Sequence, residues 1–483
     1  MIRVDFTIRH LSPFPVLVMG ALAIASSVLA QNEKSSINTS TEGASTVERQ
    51  LIDKQLPNDA HKTHTLTLTD CYAIGKERNI AIKQAQNNIT SSIIDRKMAQ
   101  NSLLPSMSYN LGHYFSFGKN IDPVTNSFVT EQFSGGYTTL SMELELFTGF
   151  KKLNTIKQSA YLIQSAEFAK KNAELELLSN ITLSYARLLL DKEQLITERS
   201  NIENTSKELA TVNEKIRVGR LSKYEFYIFN ARLNTEQADL VTIQNDSLAA
   251  SQTLKQQLNL SYKQPLDITS IDTAVLSQIL TARIVEQEFI GEILNSHPAI
   301  KQAEMNEKAS RIGEKVARSG FLPSLSVGGN VVSNYNIGEE DDSGGKIPLR
   351  KQLDNNLGQN INISLSVPIF SQLENANRVK KEKINTFNAQ LAIDDAKNTV
   401  VTNTLQLIDQ FNGAKQKFSA ILSAWEQNKL SYELFEEKYK LGQMSSVELL
   451  TGRDILNAST SKYLQAKLQL FFQYQLLQLL KAH

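Results

Sequence analysis

The sequence predicts a mainly α-helical chain with a membrane-type β part, organised as two tandem repeats. Three observations carry this reading: long stretches free of helix breakers, short segments of strict apolar–polar alternation, and motifs that recur at a fixed offset. From Phe150 to Gln264 there is no proline and one glycine, Gly219. From Ile369 to His483 there is no proline, and the only glycines are Gly413, Gly442 and Gly452. Pro and Gly end helices, so each stretch reads as a long helix, a glycine turn and a returning helix.

The helices dominate the length. At 1.5 Å per residue, Phe150 to Val218 spans about 100 Å. In the second stretch Ile393, Ala396, Val400, Thr404, Leu407, Phe411, Ala414, Phe418 and Ile421 follow one another at intervals of three or four, and the stripe continues through Trp425, Tyr432, Phe435 and Tyr439. That spacing is a coiled-coil seam. The first stretch repeats much of it with Ala173, Leu177, Leu188, Leu195, Ile202, Leu209, Val212 and Ile216, interrupted by Ser184, Asp191 and Glu198. Polar seam positions either set register or face a wet interior.

In Tyr137–Phe147, Leu140, Met142, Leu144 and Leu146 alternate with Thr139, Ser141, Glu143 and Glu145. In Asn360–Phe370, Ile361, Ile363, Leu365, Val367 and Ile369 alternate with Asn360, Asn362, Ser364 and Ser366. Met107–Phe117 and, more weakly, Ser324–Tyr335 show the same period of two. This period gives strands with one apolar and one polar face. About ten residues suits a tilted membrane strand, and Tyr109, Tyr114, Phe117, Tyr137, Phe147 and Phe370 near the segment ends suit an aromatic girdle. The strands alone would equally fit a soluble pair of hairpins packed on helices. Helices of this length are far too long to pack on two hairpins, which favours the membrane reading. Four strands cannot close a barrel, and open edges are not tolerated in lipid, so a membrane-spanning chain must oligomerise.

The repeats then order the chain. Ala81–Gln86 matches Ala299–Glu304 at an offset of 218 (299 − 81), as Leu104-Pro105-Ser106 matches Leu322-Pro323-Ser324. Leu146–Thr148 matches Ile369–Ser371 at 223 (369 − 146), as Lys215–Gly219 matches Lys438–Gly442. The expected division is 65–261 for the first repeat, with a β-hairpin over 107–147 and a turn at Gly219, then a linker over 262–295. The second repeat covers 296–483, with a β-hairpin over 324–370 and a turn at Gly442. Residues 1–30 read as a secretory signal: Arg3 and Arg9, a short apolar core from Phe14, and Val28-Leu29-Ala30 before the cut. A retained membrane anchor is the alternative, for which the apolar run is short. Residues 31–64 read as a polar, flexible leader.

Composition narrows function. Lys+Arg is 51 against Asp+Glu 50, so no basic excess points to nucleic acid. The single cysteine, Cys71, permits no internal disulfide and reads as a small core residue. No phosphate-binding loop, nucleophile elbow or His/Cys ligand cluster is present, so the expectation is neither enzyme, cofactor nor metal site. His297 before Pro298 reads as capping or packing, and Glu339-Glu340-Asp341-Asp342 as a hydrated loop. Glu143 and Glu145, on the polar strand face, would look into a lumen.

The two-fold repeat, the Leu-Pro-Ser lead-in to each hairpin and the Val218-Gly219 and Leu441-Gly442 turns resemble TolC-like outer-membrane efflux proteins over residues 65–483. The resemblance implies a homotrimer in outer-membrane lipid. Its four strands per chain would make a twelve-stranded barrel, continued by an α-helical coiled-coil tunnel in the periplasm. It implies a passive exit duct for drugs, toxic compounds or polypeptides in a tripartite efflux or type I secretion system. The tips Val218, Gly219, Arg220, Leu221 and Ser222, with Leu441, Gly442, Gln443, Met444 and Ser445, would meet a periplasmic adaptor that links to an inner-membrane pump. By the same resemblance Glu225 and Glu448 would lie at the periplasmic aperture and Tyr439 would help hold it closed; Glu225 and Glu448 read equally as helix N-terminal acids favoured by the dipole, and a bond from the Tyr439 phenol to the Glu225 carboxylate is the expected gate contact. Thr451 and Met444 depart from the family's second aspartate and its arginine. A coiled-coil structural protein of the periplasm or cell surface, without a channel, is the other reading.

Overall fold

The computed structural model describes residues 65–121, 127–129, 133–270, 273–340 and 343–482. The expected signal segment and the polar leader lie outside the described residues, as do Asp341 and Asp342. Two short helices, α1 (Leu68–Arg78) and α2 (Ile80–Asn101), lead into strand β1 (Ser106–Ser116). Strand β2 (Phe133–Thr148) runs into α3 (Lys151–Arg217), which turns into α4 (Lys223–Gln257). Helices α5 (Glu286–Ser296) and α6 (Pro298–Arg318) open the second half, followed by β3 (Ser324–Ile337) and β4 (Gly358–Ser366). Helix α7 (Glu374–Lys440) and its returning partner α8 (Ser446–Ala482) close the chain. Both long helices have 67 residues, and each begins and ends 223 residues from its counterpart (374 − 151, 440 − 217). At 1.5 Å per residue each is about 100 Å long.

The four long strands form one antiparallel sheet in the order β1-β2-β3-β4. Its register sorts the side chains cleanly, because residues directly opposite share a face. Met107, Met142 and Gly329 align with Ile361, and Tyr109 with Leu140 and Val331. Leu144 meets Val327 and Ile363, and Leu325 meets Leu365. The opposite face carries Ser106, Glu143, Gly328 and Asn362 in one row and Ser108, Ser141, Asn330 and Asn360 in the next. The apolar face is bare: Leu111 is 68%, Ile363 73% and Leu365 66% exposed. The edge strands β1 and β4 each have one side unpaired within the sheet.

Two expectations for the strands are corrected. A bulge between Glu145 and Phe147 leaves Leu146 without a cross-strand partner and puts Phe147 opposite Leu325. The second hairpin does not run to Phe370: β4 stops at Ser366. Pro368 has no N–H to give a ladder, so Val367 and Ile369 fall outside the strand. The β3–β4 connection also holds a short helix, Leu349–Asn355, absent from the sequence reading. It covers the end of β3 with side chains in place of a strand. Gln352 Oε1 accepts from the Asn336 N–H at 2.8 Å, and Asn356 Nδ2 donates to the Asn334 carbonyl at 2.9 Å.

The core lies between helices. One cluster joins Phe411, Phe418, Leu470 and Leu477 of α7 and α8 to Phe289, Ile293 and Ile300. Another joins Cys71, Ile181, Tyr185 and Leu189 to Leu254, Leu258 and Ile268. Cys71 is fully buried, and burial pushes its thiol up to about 12, so it is inert packing. The segment expected as a linker is structured. Asp267–Ile268 pairs in parallel with Thr65–Leu66, a helix follows at Thr273–Thr281, and α5 completes it. Tyr185 clamps this corner by donating to the Thr269 carbonyl at 2.8 Å. His297 caps α6, its Nδ1 accepting from the Ala299 N–H at 3.2 Å. Among the described residues no helix is long and apolar enough to cross a membrane.

Candidate functional site

The chain presents two candidate functional surfaces, the paired hairpin tips and the two-faced sheet. Each tip is built by local chemistry. At the end of α3 the Gly219 N–H bonds to the Ile216 carbonyl at 2.9 Å and the Arg220 N–H to the Lys215 carbonyl at 2.8 Å. At the end of α7 the Gly442 N–H bonds to the Tyr439 carbonyl at 3.0 Å and the Gln443 N–H to the Lys438 carbonyl at 2.9 Å. Both are Schellman turns, which need a left-handed residue just past the cap. Gly219 at φ +74° and Gly442 at φ +76° supply it. Val218, at 59%, and Leu441, at 72%, are exposed at the apices.

The returning helices are capped differently. Ser445 and Glu448 close a capping box: the Glu448 carboxylate accepts from the Ser445 N–H at 2.9 Å, and the Ser445 hydroxyl accepts from the Glu448 N–H at 3.2 Å. The Ser445 N–H, and the Ser445 hydroxyl donating to the same carboxylate at 2.7 Å, hold the Glu448 carboxyl below its usual range. Ser222 caps α4 by accepting from the Tyr224 N–H at 3.2 Å, but Glu225 does not close the box. One Glu225 carboxylate oxygen is instead buried without a hydrogen-bond partner. The two tips share a small apolar core in which Val212, Phe229, Leu449 and Leu450 are buried, with Leu221, Phe435 and Tyr439 packed against them.

The expected Tyr439–Glu225 hydrogen bond is not formed within the chain. The Tyr439 hydroxyl lies 3.2 Å from that of Ser446, and Lys215 Nζ of the other tip lies 5.4 Å from the centre of its ring. Burial, with the Glu225 charge as a lesser contributor, pushes the phenol up, which the Ser446 contact opposes. Arg220, Ser222 and Gln443 are exposed, and Met444 is half-buried. On the polar sheet face Glu143 stands opposite Ser106 and Gly328. Glu145 stands opposite Ser326 and pairs with Lys152 at 2.7 Å.

Above the tips lies a feature the sequence reading missed. Arg453 of α8 is only 4% exposed. Its guanidinium donates to the Tyr432 hydroxyl at 2.9 and 2.8 Å, to the Thr205 hydroxyl at 3.0 Å and to the Glu208 carboxylate. One side chain thus ties the second repeat's helices α7 and α8 to α3 of the first. Arg232 of α4 extends the network to Glu236 at 2.7 Å and to Asp454. An arginine among the apolar positions of α8 was the available signal, since a buried charge needs partners.

The outer membrane efflux protein family matches the chain twice, over residues 74–260 and 289–481. The pyoverdine export outer membrane protein OpmQ of Pseudomonas aeruginosa is 21% identical over 369 residues, 72% of this chain and 69% of OpmQ. The crystal structure of CusC superposes with a TM-score of 0.69 at 16% identity, covering 85% of this chain and 91% of CusC. That of the outer membrane protein VceC from Vibrio cholerae gives 0.70 at 13% identity, covering 86% and 96%. The chain belongs to the outer membrane efflux protein family.

Proposed function

We propose that three copies of this chain form a passive exit duct of a tripartite efflux or secretion system. The observation that carries this is the register of the sheet, which gathers one apolar and one polar face across four strands and leaves two edges to pair. Three such sheets joined edge to edge make a closed barrel of twelve strands, which satisfies every backbone group in lipid. Apolar faces then meet lipid, and Glu143 and Glu145 line the lumen. The helices continue the duct inward, and the six tips, each apex apolar and glycine-turned, meet a periplasmic adaptor that couples to an inner-membrane pump. The aperture is the ring of tips, with Tyr439, Glu225 and Glu448 at its rim. Within the chain Tyr439 is held by Ser446 and Lys215, so any bond from Tyr439 to Glu225 would form between neighbouring chains.

The test is assembly. The mature chain should require detergent and run as a trimer by light scattering corrected for bound detergent. Cysteine pairs placed on β1 and β4 should cross-link between chains and not within them. A monomer stable in buffer without detergent refutes the duct and leaves a coiled-coil scaffold.

A further inference from the structure

We propose that the corner between β2 and α3 is a binding site for an anionic phospholipid of the periplasmic leaflet, recognised by its phosphate and its acyl chains. The inference rests on the reading that the sheet's apolar face meets lipid. A groove of about 460 Å³ lies where α3 begins and α6 ends. Phe150, Leu153 and Leu322 give it an apolar wall, and Lys157, Lys315 and Arg318 line the rest together with Asn154.

The groove opens below the lipid-facing side of the sheet. Phe147 stands opposite Leu325 on the apolar face, and its ring meets that of Phe150 edge-on at 5.1 Å. Lys157 follows Phe150 by seven residues, about 10 Å along the helix axis. Apolar groups therefore lie next to the membrane and cations about one headgroup layer beyond them. Phe150 is 56% exposed, and its φ of +65° is a conformation that a β-carbon disfavours. The backbone thus holds a large apolar side chain outward at this level.

The first turn of α3 has no carboxylate of its own, and the one beside it, Glu145 of β2, is held by Lys152 at 2.7 Å. Phe150 makes no side-chain cap, and no acidic residue lies in the first turn. The opening N–H groups of a helix attract anions. Lys157 and Lys315 make no ion pair among the described residues, while Arg318 is engaged by Glu314 at 3.2 Å through its Nε. The matching corner of the second repeat is an internal control. Leu373 has the same left-handed backbone, φ +62°, but Glu374 opens α7 there and pairs with Arg378. Both helix starts lack a side-chain cap and both have a lysine seven residues on, Lys157 and Lys380; they differ in the first-turn carboxylate, Glu374, whose place at the β2–α3 corner a phosphate would take.

The test uses the purified full chain reconstituted in bilayers of phosphatidylcholine with and without a minor fraction of phosphatidylglycerol. Retained lipid is counted by native mass spectrometry. Wild type should enrich phosphatidylglycerol. Each lysine near an anionic lipid contributes about fivefold to affinity, so Lys157→Gln with Lys315→Gln should lower the enrichment by about 30-fold. Lys157→Arg with Lys315→Arg should keep it. Photoreactive phosphatidylglycerol on the wild-type protein should label peptides around Leu153–Lys157 and Lys315–Leu322, a readout independent of any variant's folding. Unchanged enrichment in the glutamine variant, labelling elsewhere, or full displacement by inorganic phosphate overturns the site. A chain that retains lipid without preference defeats only this inference. A chain that holds no lipid and stays dissolved without detergent defeats the membrane reading beneath it.

Discussion

Replacing Arg453 by methionine tests how the two repeats are locked together above the tips. Methionine keeps the length and removes five donors. The Glu208 carboxylate then has no cation, and its second oxygen already lacks a partner. Glu208 and the fully buried Thr205 sit on α3, while Tyr432 sits on α7, so the loss falls at the seam between repeats. Breaking a buried pair by removing one partner costs about 3–5 kcal/mol. At about 1.4 kcal/mol per factor of ten, local opening should become roughly two to three and a half orders of magnitude more frequent. Hydrogen–deuterium exchange of the detergent-solubilised protein reads this directly. Amides of α3 around Asn201–Val212 and of α8 around Ser446–Asn457 should lose that much protection, while amides near Ile181 and Leu470 should not change. Adding Glu208→Leu should recover most of the loss, because replacing both members of a buried pair by apolar groups is often neutral. Less than a tenfold change in Arg453→Met, or no recovery in the double variant, refutes the view that the pair holds the seam.

Three further outcomes follow from the described geometry. Ile363→Lys places a charge on the apolar face and should cost about 2–4 kcal/mol at the bilayer midplane, whereas Ser364→Lys on the polar face should insert normally; equal defects in heat-modifiable mobility would contradict the face assignment. Gly219→Val forces a β-branched residue into the left-handed turn, about 1–2 kcal/mol or more, and should impair export while trimers remain in the membrane; normal export removes the tip from the docking proposal. Asp191 is 1% exposed, and burial pushes its carboxyl up, aided by Asp246 and opposed by Arg187 at 3.2 Å. Its folded pKa thus lies above the unfolded one, so its stabilising contribution is full below the unfolded pKa and is lost as pH rises through the folded value. Asp191→Asn should therefore flatten the pH dependence of the melting midpoint above the ordinary carboxylate range and raise the midpoint at the alkaline end of that slope; an unchanged slope would show that Asp191 does not contribute to it.

Features set by local chemistry were legible in the residues alone. Helix length followed from the spacing of glycine and proline, and both turns from a glycine past the cap. The two faces of each strand followed from a period of two, because pleating alone sends alternate side chains to opposite sides. The 223-residue offset extended this local reading to a second copy, and it is the offset at which α3 and α7 begin and end. Tertiary structure alone decided which distant groups meet. The pairing of β2 with β3 across the repeats and the bulge that puts Phe147 in place of Leu146 depend on neighbours far away in sequence, while the side chains that cover the end of β3 come from the connection that follows it. Tyr439 takes Ser446 from its own hairpin and Lys215 from the other repeat's tip. Arg453 is the clearest case. Its partner Glu208 lies 245 residues away, and only the packing of three helices encloses both charges, since no periodicity in one helix records what the facing helix presents.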